Sequence, residues 1–216
     1  MTPRVVRIAV IDSGVDLGHP GVRGRCQVAA LARVDATGEV HAEGYARDDL
    51  GHGTAVAATL LAHGAAVELL VVRVFDHRAE CSAEQLAAAL RYVATRHVDL
   101  VNASLGIVDP GVQESLAAPV AALLATGCRL VAPATRLGLP CMPGSFAGVD
   151  RVIADPNQDR QQPVERQHKG SPYWFANPFP PIGVPGLPPE HIRGDSLAAA
   201  NVTGVLAARL QAAWQR

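Results

Sequence analysis

Three short stretches each set one polar side chain among small or apolar residues, in an order that suits nucleophilic catalysis. Ile8-Ala9-Val10-Ile11-Asp12-Ser13-Gly14-Val15 carries a carboxylate at the end of an apolar run. Gly51-His52-Gly53-Thr54-Ala55-Val56-Ala57 carries an imidazole between two glycines. Gly194-Asp195-Ser196-Leu197-Ala198-Ala199-Ala200 carries a hydroxyl ahead of an Ala- and Val-rich run reaching Leu210. A serine hydroxyl is a weak nucleophile at neutral pH and needs a base to take its proton. His52 is a base of suitable strength, because imidazole titrates near neutrality. A carboxylate on the other ring nitrogen fixes the tautomer and stabilises the imidazolium, which is the role open to Asp12. Singly, each residue has a plainer use: Asp12 in a turn, His52 at a helix start, Ser196 as a helix cap. Jointly they point to acyl chemistry, with His191, close in sequence to Ser196, as a rival base.

Such a site needs rigid elements to hold it. Val5 to Ile11, Val67 to Phe75, Val98 to Ala103, Arg129 to Ala132 and Arg151 to Ala154 read as strands. His52 to His63, closed by Gly64, reads as a helix, as do Ala83 to His97 and Val112 to Thr126. Pro119 either kinks the last of these or marks its start. Continuous apolar strands separated by helices predict a parallel sheet covered on both faces. Sites in such sheets lie beyond the carboxyl ends of the strands, where Asp12 falls. Ser196 would sit in the first turn of a buried helix, where unpaired N–H groups and the helix dipole favour negative charge. Residues 156–193 are rich in proline and hold Tyr173, Trp174, Phe175 and Phe179. They read as a long surface loop, or as a rim or lid leading into Ser196.

Bulk properties narrow the function classes. The 216 residues suffice for one domain with a sizeable core, and the apolar fraction of 49% excludes general disorder. A net charge of -1 and 4% aromatic residues argue against nucleic acid and anionic membrane as partners. No apolar run approaches a membrane span. Cys26, Cys81, Cys128 and Cys141 lack metal-type pairing and read as reduced thiols of a cytoplasmic protein.

The three stretches follow the order Asp, His, Ser, and in their neighbouring residues as well they resemble the subtilase family of serine peptidases. Val101-Asn102-Ala103-Ser104-Leu105-Gly106 is similar to the family's substrate-binding strand, and Val184-Pro185-Gly186 to the segment before its serine motif. The resemblance runs from about Ile8 to the C-terminal helix. It implies a subtilisin-like three-layer α/β fold: a mostly parallel β-sheet with helices on both faces, residues 1–216 forming a single peptidase domain. It also implies Asp12, His52 and Ser196 as the triad. Ser104, Leu105 and Gly106 would pair with an extended peptide by strand addition. Leu139, Pro140 and Cys141 are the expected lining of an apolar specificity pocket.

Several departures from the family carry information. The usual oxyanion Asn is missing from Leu130-Val131-Ala132-Pro133-Ala134-Thr135-Arg136. The expected donors are therefore the Ser196 N–H and the side chain of Arg136 or Thr135, with Arg136 expected to point outward. Asp195 stands where Thr is usual, either as a helix cap or as a charge repelling anionic substrates. Ala200 replaces a Pro. Leu60-Leu61-Ala62-His63-Gly64-Ala65 is too short and apolar for the family's calcium loop, so no metal and no cofactor are expected. With no prodomain ahead of Asp12, a dedicated intracellular form is expected. The leading expectation is a serine endopeptidase acting on a peptide or protein substrate, with leader removal from a ribosomal precursor as one task. The alternatives are an acyl transferase or macrocyclase and a binding subunit with weakened catalysis. The oligomeric state is left open.

Overall fold

The apolar run at the start of the chain becomes the middle of a nine-stranded sheet. The computed structural model describes residues 4–182, 186–187 and 192–216. In chain order the strands are β1 (Val6–Asp12), β2 (Cys26–Val34), β3 (Val40–Ala42), β4 (Val67–Arg73), β5 (Leu100–Ala103) and β6 (Arg129–Pro133). They continue with β7 (Thr135–Arg136), β8 (Leu139–Pro140), β9 (Asp150–Ala154), β10 (Val164–His168) and β11 (Ser171–Ala176). The α-helices are α1 (His52–Leu61), α2 (Ala83–Ala94), α3 (Gln113–Ala125) and α4 (Asp195–Trp214). The sheet order is β10-β11-β9-β6-β5-β1-β4-β2-β3, and β7 and β8 form a separate ribbon. All neighbours in the large sheet are parallel except the edge pairs β10–β11 and β2–β3.

Period-two alternation along β1 divides the core into two layers. Val6, Ile8 and Val10 pack with Val56 of α1 and Leu197 and Val202 of α4. Ala9 and Ile11 face the opposite way, with Leu86 and Leu90 of α2 and Leu116 and Leu123 of α3. The result is the expected three-layer α/β arrangement, helices covering both faces of a mostly parallel sheet. α1 is buried along nearly its whole length, which suits its Ala- and Val-rich sequence. α2 opens on a capping box between Ser82 and Gln85. It stops at Ala94, short of the expected His97, whose φ of 52° turns the chain out of the helix. Pro119 lies inside α3, on its buried side, and does not mark its start. No helix among the described residues is long and apolar enough to cross a membrane.

The long loop or lid expected over 156–193 is corrected by the structure. Val164–His168 and Ser171–Ala176 form an antiparallel hairpin, and β11 joins β9 in parallel. Lys169 and Gly170 make its two-residue turn, both at positive φ, 49° and 76°, the geometry that matches strand twist. Within the aromatic run only alternate side chains point inward: Trp174 and Ala176 are buried, Tyr173 and Phe175 partly so. The Trp174 indole donates to Asp150 Oδ1 at 3.0 Å. None of the described residues in 156–193 lines the cleft that holds Ser196.

From β1 the chain passes to β2 and the edge strand β3, returns to β4 between β2 and β1, and then crosses to β5, β6 and β9 on the other side. Reversal of strand order opens a crevice beyond the carboxyl ends of β1 and β5. Asp12 ends β1 and Ser104 follows β5.

Candidate active site

β1 delivers Asp12 to this crevice fully buried. Its Oδ1 accepts from the Ser13 N–H at 2.7 Å and lies 2.7 Å from His52 Nδ1. β1 also anchors the chain beyond β4, because the Asp12 carbonyl accepts from the Val74 N–H at 2.8 Å.

His52 is the first residue of α1, and two glycines allow the helix to meet the turn after Asp12. A Cβ on Gly53 would lie 2.1 Å from the Gly14 carbonyl oxygen, and one on Gly14 would lie 1.9 Å from that of Arg47. Asp48, which the sequence reading passed over, closes this junction. Its Oδ1 accepts from Ser13 Oγ at 2.7 Å and the Gly51 N–H at 2.9 Å. Its Oδ2 accepts from the Thr54 N–H at 2.8 Å and Thr54 Oγ1 at 2.6 Å. One carboxylate thereby satisfies orphan donors of α1 and holds the Asp12 turn. A carboxylate a few residues ahead of a predicted helix start is the signal that would have found it.

The Asp12 carboxylate beside the ring raises the His52 pKa above its ordinary value of 6.5, against burial, and Asp48 adds to the rise. With Nδ1 turned to Asp12, Nε2 is the ring nitrogen left for a proton from the cleft. Phe75 packs edge-on against the ring at 6.4 Å.

Ser196 lies in the first turn of α4 behind Gly194, whose φ of 141° suits glycine. The helix is tied to β5 by a buried chain. Ser104 Oγ lies 2.8 Å from both Asn102 Oδ1 and the Ser196 carbonyl oxygen. Asn102 Nδ2 donates to Thr203 Oγ1 at 2.9 Å. Further along α4, Asn201 Nδ2 donates to the Asn177 carbonyl at 2.7 Å, and Asn201 Oδ1 faces His63 and Arg160. Asp195 does not cap α4: it accepts from the Ala154 N–H at 2.9 Å, and its burial raises its pKa. The Ser196 hydroxyl donates to the Ser104 carbonyl at 3.0 Å, with no hydrogen bond to His52.

His52, Ser104, Leu105, Gly106, Thr135, Arg136, Asp195 and Ser196 line one cleft of about 710 Å³. Arg136 is exposed and donates from Nη1 to the Gly106 carbonyl at 3.2 Å, so it lies along the cleft wall and is not directed away from it. The expected pocket residues are dispersed. Leu139 and Pro140 line a separate apolar depression of about 280 Å³ with Ile107, Val108 and Met142. Cys141 is buried, its thiol against Gly106 and directed at the Pro133 carbonyl. Cys81 lines the cleft, but burial pushes its thiol up to about 12, so it holds its proton near neutrality. His191, Val184 and Pro185 lie outside the described residues.

At the connection expected to bind no calcium, His63 meets Gln161 and Asn201. Asp35, Glu39 and His41 bring ligand-type atoms together elsewhere, but Asp35 is engaged in its own turn through Thr37 and in a pair with His41.

Residues 4–135 match the sequence profile of the subtilase family. An intracellular serine protease of Paenibacillus polymyxa is 28% identical over 136 residues, 58% of this chain and 41% of that protein. A cell wall-associated protease of Bacillus subtilis strain 168 is 31% identical over 110 residues, 46% of this chain and 12% of that protein. The matched part is thus less than half of either relative. A cold-adapted subtilisin-like serine proteinase superposes with a TM-score of 0.70 at 21% identity, covering 96% of this chain and 76% of its own. The nisin leader peptidase NisP from Lactococcus lactis gives 0.71 at 16% identity, covering 99% and 80%. Both share the fold described above.

Proposed function

Since this chain belongs to the subtilase family, we propose that it is a serine endopeptidase with Ser196 as nucleophile, His52 as base and Asp12 as the group orienting and charging the base. The observation carrying this reading is the 2.7 Å contact from His52 Nδ1 to the buried Asp12, with Ser196 on the same cleft. An extended peptide pairs along Ser104–Gly106 and brings its carbonyl to Ser196. The hydroxyl turns from the Ser104 carbonyl to His52, its oxygen attacks the carbonyl carbon, and the proton passes to Nε2. The first-turn N–H of Ser196 is the backbone donor for the oxyanion, and Thr135 or Arg136 is placed on the same cleft as a side-chain donor. Collapse gives the acyl-serine and an amine that leaves with the His52 proton. Water then releases the acid by the reverse sequence of transfers.

Four free cysteines favour a reducing, cytoplasmic setting, where the substrate is a peptide or protein and processing of a peptide precursor is one task. Transfer to an amine needs exclusion of water, and the aromatic segment that would have supplied it lies off the cleft among the described residues. A fluorophosphonate probe tests the reading. The proposal expects labelling at Ser196 that is lost in Ser196→Ala, together with peptide products bearing new carboxyl termini. A folded wild type that takes no label is a binding subunit, and products joined to an amine identify a transferase.

A further inference from the structure

The edge expected to receive a peptide is already occupied by the protein's own donors. In an extended chain successive residues present their N–H and C=O groups to opposite sides. Ile107 exchanges both of its backbone hydrogen bonds with Met142, at 3.0 and 2.9 Å, so its backbone groups face inward to that segment. Ser104 and Gly106 then face the cleft. Their two carbonyls are the pairing acceptors, and each is taken: Ser104 by the Ser196 hydroxyl at 3.0 Å, Gly106 by Arg136 Nη1 at 3.2 Å.

Arg136 is held in place by more than a surface rotamer. It pairs with Leu139 across the β7–β8 ribbon, whose two-residue turn has Leu137 at φ 53° and Gly138 at φ 78°. A Cβ on Gly106 would meet Cys141 Sγ at 2.5 Å and Arg136 Cβ at 3.6 Å, so the ribbon abuts the edge. No carboxylate among the described residues forms an ion pair with Arg136. The guanidinium is a cation resting on a neutral carbonyl, and a carboxylate is the stronger partner for it.

We propose that Arg136 is a specificity-determining residue that yields the Gly106 carbonyl to an incoming peptide N–H and then pairs with an acidic side chain on that same peptide residue. This rests on the serine-peptidase reading. The residue donating to Ser104 is the one whose carbonyl faces Ser196. On an antiparallel peptide, the residue donating to Gly106 therefore lies two positions earlier. The cleft carries Glu80, Asp109 and Asp195 as well, so Arg136 is the cation that sets a local preference against a generally acidic lining. The same displacement at Ser104 frees the Ser196 hydroxyl for His52, which couples peptide pairing to release of the nucleophile.

The test uses the full chain and a fluorogenic peptide library with Glu, Gln or Lys fixed two positions ahead of a varied cleaved residue. Wild type is expected to prefer Glu over Lys by roughly tenfold in kcat/KM, expressed mainly in KM, the size of one exposed charge-assisted contact. Arg136→Ala is expected to bring the ratio within about twofold, and Arg136→Lys to retain part of it. N-methylation of the Glu residue's backbone nitrogen is expected to erase the dependence on Arg136. An unchanged Glu-to-Lys ratio in Arg136→Ala overturns the inference. So does a loss on the order of 10²-fold for every peptide and for fluorophosphonate labelling alike, which would assign Arg136 to the oxyanion. Labelling of Ser196 in the same samples reports separately on the peptidase reading: labelled protein with no preference overturns only the role of Arg136.

Discussion

Replacing Asp12 by Asn removes one charge with almost no change in shape, and its effect follows from the contacts around the carboxylate. Oδ1 makes the contacts with Ser13 and His52, while Oδ2 is buried without a hydrogen-bond partner. An Asn with its carbonyl oxygen in the Oδ1 place keeps both contacts and puts its NH₂ where Oδ2 was. At 2.7 Å, a full charge on the ring is stabilised by about 6 kcal/mol at an effective dielectric constant of about 20. The His52 side chain is 31% exposed, so screening brings the figure to about 3 kcal/mol. That corresponds to a turnover on the order of 10²-fold lower, before any loss from a wrong tautomer. The pH profile carries a second signature. Asp12 raises the His52 pKa, and the base must be neutral, so wild-type activity rises with pH through a value above 6.5. Without the carboxylate that limb moves to lower pH. The assay is peptide hydrolysis across pH 5–9 for both proteins, with circular dichroism as the check on folding. Equal turnover, or a limb that stays in place, refutes the coupling of Asp12 to His52. The same pair favours the folded state fully below about pH 6.5, and that contribution is lost as pH rises through the raised folded value.

Other consequences are equally direct. Gly53→Ala forces a Cβ to 2.1 Å from the Gly14 carbonyl, so urea unfolding should show a loss of roughly 1–3 kcal/mol, with activity falling as α1 lifts from the Asp12 turn. His63 is held neutral by burial and faces Asn201, Gln161 and the Arg160 cation. Its folded pKa lies below 6.5, so its contribution is complete above that value and is lost as pH falls through the lowered one. Thermal melts between pH 7 and 5 should show a drop that His63→Gln reduces; an equal drop in the variant assigns the acid sensitivity to other groups.

The legible parts of the site are those whose signals are local. Asp12 ends an apolar strand, His52 begins an apolar helix between glycines, and Ser196 precedes a run of alanines, so type and place were readable together. β2 escaped notice because its mostly small residues lack a bulky apolar stripe, and only Ala32 and Val34 near its end are buried. The β10–β11 hairpin was hidden by Pro172 and by polar residues such as Glu165 and Gln167 on an exposed edge strand. Its turn at Lys169-Gly170 was the missed cue. Asp48 had a local cue in its place just ahead of α1, but its tie to Ser13 and the contact of Arg136 with Gly106 join segments about 30 residues or more apart, and no window of sequence contains both ends. The resemblance puts Cys141 in a pocket with Leu139 and Pro140, whereas the chain leaving β8 buries it beneath Gly106, a contact more than 30 residues away in sequence.

The central claim, that Ser196 is the nucleophile served by His52, is tested most directly by peptide cleavage with wild type and Ser196→Ala at matched concentration. Fluorophosphonate stoichiometry and circular dichroism are recorded on the same samples. One label per wild-type chain at Ser196, with cleavage lost beyond detection in a folded Ser196→Ala variant, is the predicted result. Cleavage that persists in that variant, or a label that maps to another residue, contradicts it.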